Sequence, residues 1–119
     1  MHVVVLDRPE GNVIARGTYP GGPDYEFVVA ADGHIDWRVT GDTETVWAGP
    51  DAEAFRRIAA LWNRYRADYR PGMSEAAERE FFGCLRQEFE ALGALPTHVP
   101  TDPEPLWSLL LFEAENGLG

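Results

Sequence analysis

The stretch YEFVVAADGHIDWRV, residues 25–39, decides the fold. Two runs rich in β-branched and aromatic residues flank Ala31-Asp32-Gly33, a turn cluster, and two such runs this close in sequence form a β-hairpin. Loop length then fixes which side chains share a face. A two-residue loop at Asp32-Gly33 would set Trp37 against Val28 and Phe27 against Arg38, scattering the large apolar groups over both faces. A three-residue loop, Ala31-Asp32-Gly33 with Gly33 in the left-handed conformation, instead pairs Val29 with Ile35, Phe27 with Trp37 and Tyr25 with Val39, so that all six line one face. The same register sets Glu26 opposite Arg38 on the other face, where opposite charges contribute roughly 0.2–1 kcal/mol. The three-residue loop is therefore expected. It gives a sheet with one apolar face to be covered and one polar face, bearing His34, Asp36 and Arg38, left toward solvent.

Outward from this hairpin the pattern repeats toward the start of the chain. Strand-like runs occupy residues 2–6, 12–19, 25–30, 34–39 and about 43–47, separated by turn clusters at Arg8-Pro9-Glu10-Gly11, Pro20-Gly21-Gly22-Pro23 and Gly41-Asp42. Short connections between successive strands make an antiparallel meander of about five strands the simplest arrangement.

After Gly49-Pro50 the periodicity becomes helical. A first helix, about 51–69, starts at an Asp51 N-cap, and Phe55, Ile58, Trp62, Tyr65 and Tyr69 alternate steps of three and four in one apolar stripe. Its outer face carries Glu53, Arg56, Arg57 and Arg64, with Glu53 and Arg57 spaced for an i,i+4 ion pair. Arg70-Pro71-Gly72 ends it. Ser74 caps a second helix, about 74–92, whose inward set is Phe81, Phe82, Leu85, Phe89 and Leu92, with Gly93 as the stop. A loop containing Pro96, Pro100 and Pro103 leads to a third helix, about 103–116, with Asp102 as N-cap. There Leu106, Trp107, Leu109, Leu110, Leu111, Phe112 and Ala114 occupy most of the circumference and leave only Glu104, Ser108 and Glu115 as a polar strip. Such a helix must touch more than one element. We expect it wedged between the sheet and the other helices, the alternative being burial against a second chain. The resulting expectation is one α+β domain over residues 1–119, an antiparallel meander followed by three helices packed on one sheet face.

The 119 residues suit a single core, and an apolar share of 45% with 4 Trp, 6 Phe and 4 Tyr is enough to offset chain entropy. Cys84 is the only cysteine, which excludes an internal disulfide and points to a reducing compartment. Residues 2–6 are apolar without a basic region before them or a small-residue cleavage site after them, so no secretory signal is expected. The longest apolar stretch, residues 106–112 interrupted by Ser108, is far below the roughly 20 residues of a membrane span. A cytoplasmic location follows as the expectation. Twenty acidic residues against ten basic ones, all of them Arg, give a net charge of −10. That field repels nucleic acid and anionic lipid and favours encounter with basic partners.

The residues that could carry chemistry do not assemble a site by spacing. His2, His34 and His98 sit in separate segments and read as surface histidines rather than metal ligands. Cys84, beside Phe81 and Leu85 on the second helix, reads as a small core residue and not as a nucleophile. Gly21-Gly22 lies between prolines and is a turn, not a phosphate loop. Glu78 and Glu113 fall within or beside the apolar sectors of their helices, where each could be a buried acid with a partner such as an Arg; Glu78 is also placed as a first-turns acid favoured by the helix dipole. No catalytic, cofactor-binding or metal-binding residue is assigned, and no enzyme activity is expected. Trp47, at the boundary between sheet and helices, is a candidate contact anchor.

The order of these patterns resembles a known family. Phe55-x-x-Ile58-x-x-x-Trp62-x-x-Tyr65, a helix ending Phe89-x-x-Leu92, then Asp102-Pro103-x-x-Leu106-Trp107-x-x-Leu110, closing with Glu113-x-Glu115-x-Gly117-Leu118, is similar to the C-terminal part of the SUKH superfamily, over about residues 43–118. The chain is short for that superfamily, and the strands before residue 43 carry no part of the resemblance. What it implies is an α+β fold and a bacterial immunity protein that neutralises a polymorphic toxin through a binding surface whose position varies between members. The net charge of −10 suits a basic target, and a nuclease or deaminase domain acting on nucleic acid would carry such a basic groove. It implies no catalytic residues.

The expected function is accordingly partner binding, with Asp36, Asp42, Glu44, Trp47, Glu80 and Glu90 as the candidate contact residues. The expected partner is a protein with a basic surface, and the expected state is a monomer or weak homodimer without cofactor. With the last helix lodged inside the fold, the negatively charged exterior is left to meet other molecules. The alternative is a small-molecule-binding accessory or regulatory domain with a pocket between the sheet and the C-terminal helix.

Overall fold

A computed structural model describes residues 1–95 and 106–115. The five strands β1 (His2–Glu10), β2 (Val13–Thr18), β3 (Tyr25–Val29), β4 (Ile35–Val39) and β5 (Val46–Gly49) form one antiparallel sheet in the order β1-β2-β3-β4-β5. Three helices follow, α1 (Ala52–Asp68), α2 (Glu75–Ala91) and α3 (Leu106–Glu115), and pack on one face of it. The architecture is the α+β arrangement expected.

The central hairpin has the expected register. Val29 pairs with Ile35, Phe27 with Trp37, Tyr25 with Val39 and Glu26 with Arg38, around a turn in which Gly33 takes φ +93°. Phe27 and Ile35 are buried on the apolar face, while Val29, Tyr25, Trp37 and Val39 remain half-buried. β1 differs from the expectation. It runs on through Arg8-Pro9 to Glu10 and turns at Gly11-Asn12, Glu10 pairing with Val13. Pro9 is tolerated because β1 is an edge strand, where a missing N–H breaks no ladder bond.

Two bulges hold the sheet to its cover. Ile14 is the extra residue between the Val13–Val28 and Ala15–Phe27 pairs, and it is buried with the core. Ala48 is the extra residue between Asp36–Trp47 and Ile35–Gly49. Its carbonyl accepts a hydrogen bond from the indole Nε1 of Trp107 at 2.7 Å. Trp107 has no solvent exposure, and its ring lies 5.6 Å from Phe89, 5.9 Å from Trp62 and 6.4 Å from Phe27, so this one residue of α3 joins the sheet, α1 and α2. The wedged placement of α3 is thus observed for Leu106, Trp107, Leu110 and Leu111, whereas Phe112 is 60% exposed.

The helix ends follow their caps. Asp51 accepts from the Ala54 N–H at 2.8 Å and Ser74 from the Ala77 N–H at 3.1 Å. After α2, Gly93 at φ +73° lets the Ala94 N–H reach the Phe89 carbonyl and the Gly93 N–H reach the Glu90 carbonyl, a Schellman motif sealed by buried Ala94 and Phe89. The Glu53–Arg57 ion pair forms at 3.1 Å. The expected N-cap Asp102 with Pro103, the proline loop, His98 and the closing Gly117-Leu118 lie outside the described residues.

Candidate functional site

The face of the sheet turned away from the helices carries two cross-strand rows. One runs Val4, Arg16, Glu26, Arg38 across β1 to β4, and the other runs Val13, Val28, Asp36, Trp47 across β2 to β5. This face was expected to lie toward solvent, yet Glu26 is only 7% and Val28 only 4% exposed. The reason lies in the register. Glu26 is flanked on both neighbouring strands by arginines, and the long stems of Arg16 and Arg38 shield it. Arg38 Nε donates to Glu26 at 2.6 Å, so the buried carboxylate is charge-paired. Val28 sits between Val13 and Asp36 in the second row.

His34, read from the sequence as an ordinary surface histidine, is instead half-buried between two carboxylates. Nδ1 hydrogen-bonds Asp32 and Nε2 lies 2.8 Å from Asp36. Burial on its own would lower the imidazole pKa, but the hydrogen bonds to Asp32 and Asp36 outweigh it and the net shift is upward. The Asp32 carboxyl is held below its usual range, first by the His34 backbone N–H and then by its ring.

The six residues expected to meet a partner divide into two groups. Asp36, Asp42, Glu44 and Trp47 all fall on the hairpin formed by β4 and β5. Trp47 is half-buried and directly opposite Asp36 on the open face. Asp42 and Glu44 are exposed in the connecting loop, where the Asp42 carboxylate accepts the Thr43 N–H at 2.7 Å and the Glu44 N–H at 3.3 Å. Glu80 and Glu90 are exposed on α2, in the helical layer, and do not join the other four.

A second feature lies among the helices. A cavity of about 310 Å³ is bounded by α1, α2, α3 and the start of the sheet. Its wall is aromatic, with Tyr19, Trp62, Tyr65, Tyr69, Phe81 and Phe82 contributing. Phe81 and Phe82, placed in the core by periodicity, are half-exposed here and lie 5.3 Å from each other. Phe81 is 4.9 Å from the Tyr65 ring and 5.9 Å from the Tyr69 ring. The Tyr65 and Tyr69 hydroxyls are engaged elsewhere, Tyr65 donating to Glu88 at 2.8 Å and Tyr69 to Glu78 at 2.9 Å, so at these two positions the cavity meets ring surface. Burial and the bond to Glu88 push Tyr65 up to about 12. The partner of Glu78 is thus a tyrosine and not an arginine.

Arg66 and Glu113 bring opposite charges to the same cavity. Among the described residues neither forms an ion pair within 4 Å, although both act on Tyr19: burial raises its pKa first, Glu113 adds to the rise and Arg66 opposes it. The expectation that α3 is lodged inside the fold therefore holds for only part of its girth, since Leu110, Glu113 and Ala114 border the cavity. The pocket expected between the sheet and the C-terminal helix has α3 on one side and Met1 and Tyr19 at the strand ends, with α1 and α2 supplying the rest of its wall. Cys84 is a further correction. It is exposed, because α2 buries only the strip at Leu85 and Phe89 and position 84 falls off that strip.

Sequence reasoning passed over Asn63. Its side-chain amide accepts the Val3 N–H at 3.0 Å and donates to the Val3 carbonyl at 2.6 Å, capping the outer edge of β1 as a neighbouring strand would. A polar residue within the α1 stripe, one place from Trp62, was the available signal. Among the described residues no cluster of three His, Cys, Asp or Glu could hold a metal ion, and no helix is long and apolar enough to cross a membrane. Comparison with protein-family models, with curated proteins and with solved structures returns no match.

Proposed function

We propose that this chain is an immunity-type binding protein that docks a basic protein partner, a toxin domain of the nuclease or deaminase kind, through the hairpin of β4 and β5. The observation that carries this reading is the grouping of Trp47, Asp36, Asp42 and Glu44 on one hairpin at the edge of the uncovered face. A half-buried aromatic anchor with exposed acids beside it has the composition of an interface centre and its rim. The net charge of −10 and the resemblance of α1 to α3 to the SUKH superfamily support it. Co-expression with a toxin domain encoded beside it tests the reading: protection and a complex at micromolar concentration are expected, and the absence of both overturns it.

The cavity among the helices favours a second reading, a domain that takes a small molecule. Ligand-dependent thermal stabilisation of the full chain is the expected outcome under that reading.

A further inference from the structure

We propose that the cavity bounded by α1, α2 and α3 binds a small aromatic zwitterion of α-amino-acid size, with its ring among the aromatic walls, its carboxylate at Arg66 and its ammonium at Glu113. The inference rests on the reading of the chain as a ligand-binding domain and names the ligand's chemistry. Size sets the first limit. At about 310 Å³ the cavity lies at the lower end of the range of ligand pockets, roughly 300–1,000 Å³, which suits a single-ring or indole-sized body.

The walls set the second. Six aromatic side chains line the space while the Tyr65 and Tyr69 hydroxyls are held by Glu88 and Glu78, so what the cavity offers is ring faces and edges, which take another aromatic ring in offset or edge-on contact. Charge sets the third. Arg66 and Glu113 border the same space without pairing to each other, and the Tyr19 hydroxyl feels both. An anion held at Arg66 would share the cavity with Glu113 in a chain of net charge −10, and a cation held at Glu113 would share it with Arg66. A zwitterion answers both groups at once, each through a charge-assisted hydrogen bond.

The test uses the full chain and four ligands that share the indole ring: L-tryptophan, indole-3-propionate, tryptamine and 3-methylindole. Calorimetric titration and thermal shift are expected to rank L-tryptophan first, with the ligands lacking one charged group about tenfold weaker, the order expected for losing one charge-assisted hydrogen bond partly open to water. Arg66→Gln is expected to erase the preference for L-tryptophan over tryptamine, and Glu113→Gln the preference over indole-3-propionate. Because Arg66 is exposed on α1, its replacement leaves the fold intact and the first comparison stands even if the Glu113 variant misfolds. Binding of 3-methylindole or of either singly charged ligand as tight as that of L-tryptophan overturns the zwitterion and leaves the ligand-binding domain standing. No stabilisation by any of the four at millimolar concentration overturns both.

Discussion

Single side chains do here what whole elements do in larger domains. Asn63 replaces a sixth strand at the outer edge of β1, satisfying both the N–H and the carbonyl of Val3. Asn63→Asp keeps the acceptor but removes the donor, so the Val3 carbonyl loses its bond and faces a carboxylate. We expect a loss of about 1–3 kcal/mol in urea denaturation. A freed β1 edge should also pair with other chains, visible as dimers or larger species on size exclusion. His34 gives a second outcome at this scale. Its folded pKa lies above the ordinary value of 6.5 because the hydrogen bonds to Asp32 and Asp36 outweigh burial. A base whose pKa rises on folding stabilises the folded state fully below its unfolded value, and that contribution is lost as the pH rises through the folded value. Unfolding midpoints should therefore fall as the pH goes from about 6 to about 8, and His34→Asn should flatten that part of the profile.

Elements were readable where the deciding interactions are local. The β3–β4 register followed from one glycine and the alternation on either side of it, and the starts of α1 and α2 followed from Asp51 and Ser74, because a turn or a cap is settled within a few residues. The extent of β1 was not readable: Arg8-Pro9 looks like a turn until it is known to lie on an edge. The burial of α2 was not readable either, since periodicity says which side faces inward but not how much lies there to cover it. Cys84, Phe81 and Phe82 went astray for that reason. For α3, the apolar girth announced contact with several elements, and Trp107 delivers it. Trp107→Phe should preserve the ring contacts but strip the Ala48 carbonyl of its donor, costing about 1–3 kcal/mol. Trp107→Ala should cost about 3–5 kcal/mol, as large aromatic truncations in cores do. Equal losses for the two variants in chemical denaturation would mean that the hydrogen bond to the bulge contributes everything and the ring nothing.

At the scale of the whole molecule the sequence supplied the sign of the charge but not its arrangement. The cavity needs side chains from Met1 to Ala114 to converge from three helices and the ends of two strands, which no spacing could announce, and the shielding of Glu26 needs three strands in register. Of the six residues expected to meet a partner, Asp36, Asp42, Glu44 and Trp47 share a hairpin, with Glu80 and Glu90 in the helical layer. That division makes the proposed interface separable by kinetics. Exposed charges act at a distance, so Asp42→Asn with Glu44→Gln should lower the association rate for a basic partner and flatten its dependence on salt, leaving dissociation nearly unchanged. Glu80→Gln with Glu90→Gln removes the same formal charge from α2, and should lower the rate less because those groups lie off the docking hairpin. Trp47 acts only in contact, and Trp47→Ala should speed dissociation while the association rate stays within about threefold, since most mutants of one interface differ in dissociation. Surface plasmon resonance from about 50 to about 500 mM salt, over which the screening length shortens severalfold, separates the three variants. If the pair on α2 slows association as much as the pair on the hairpin, the net field alone steers the encounter and the β4–β5 hairpin is not the docking site.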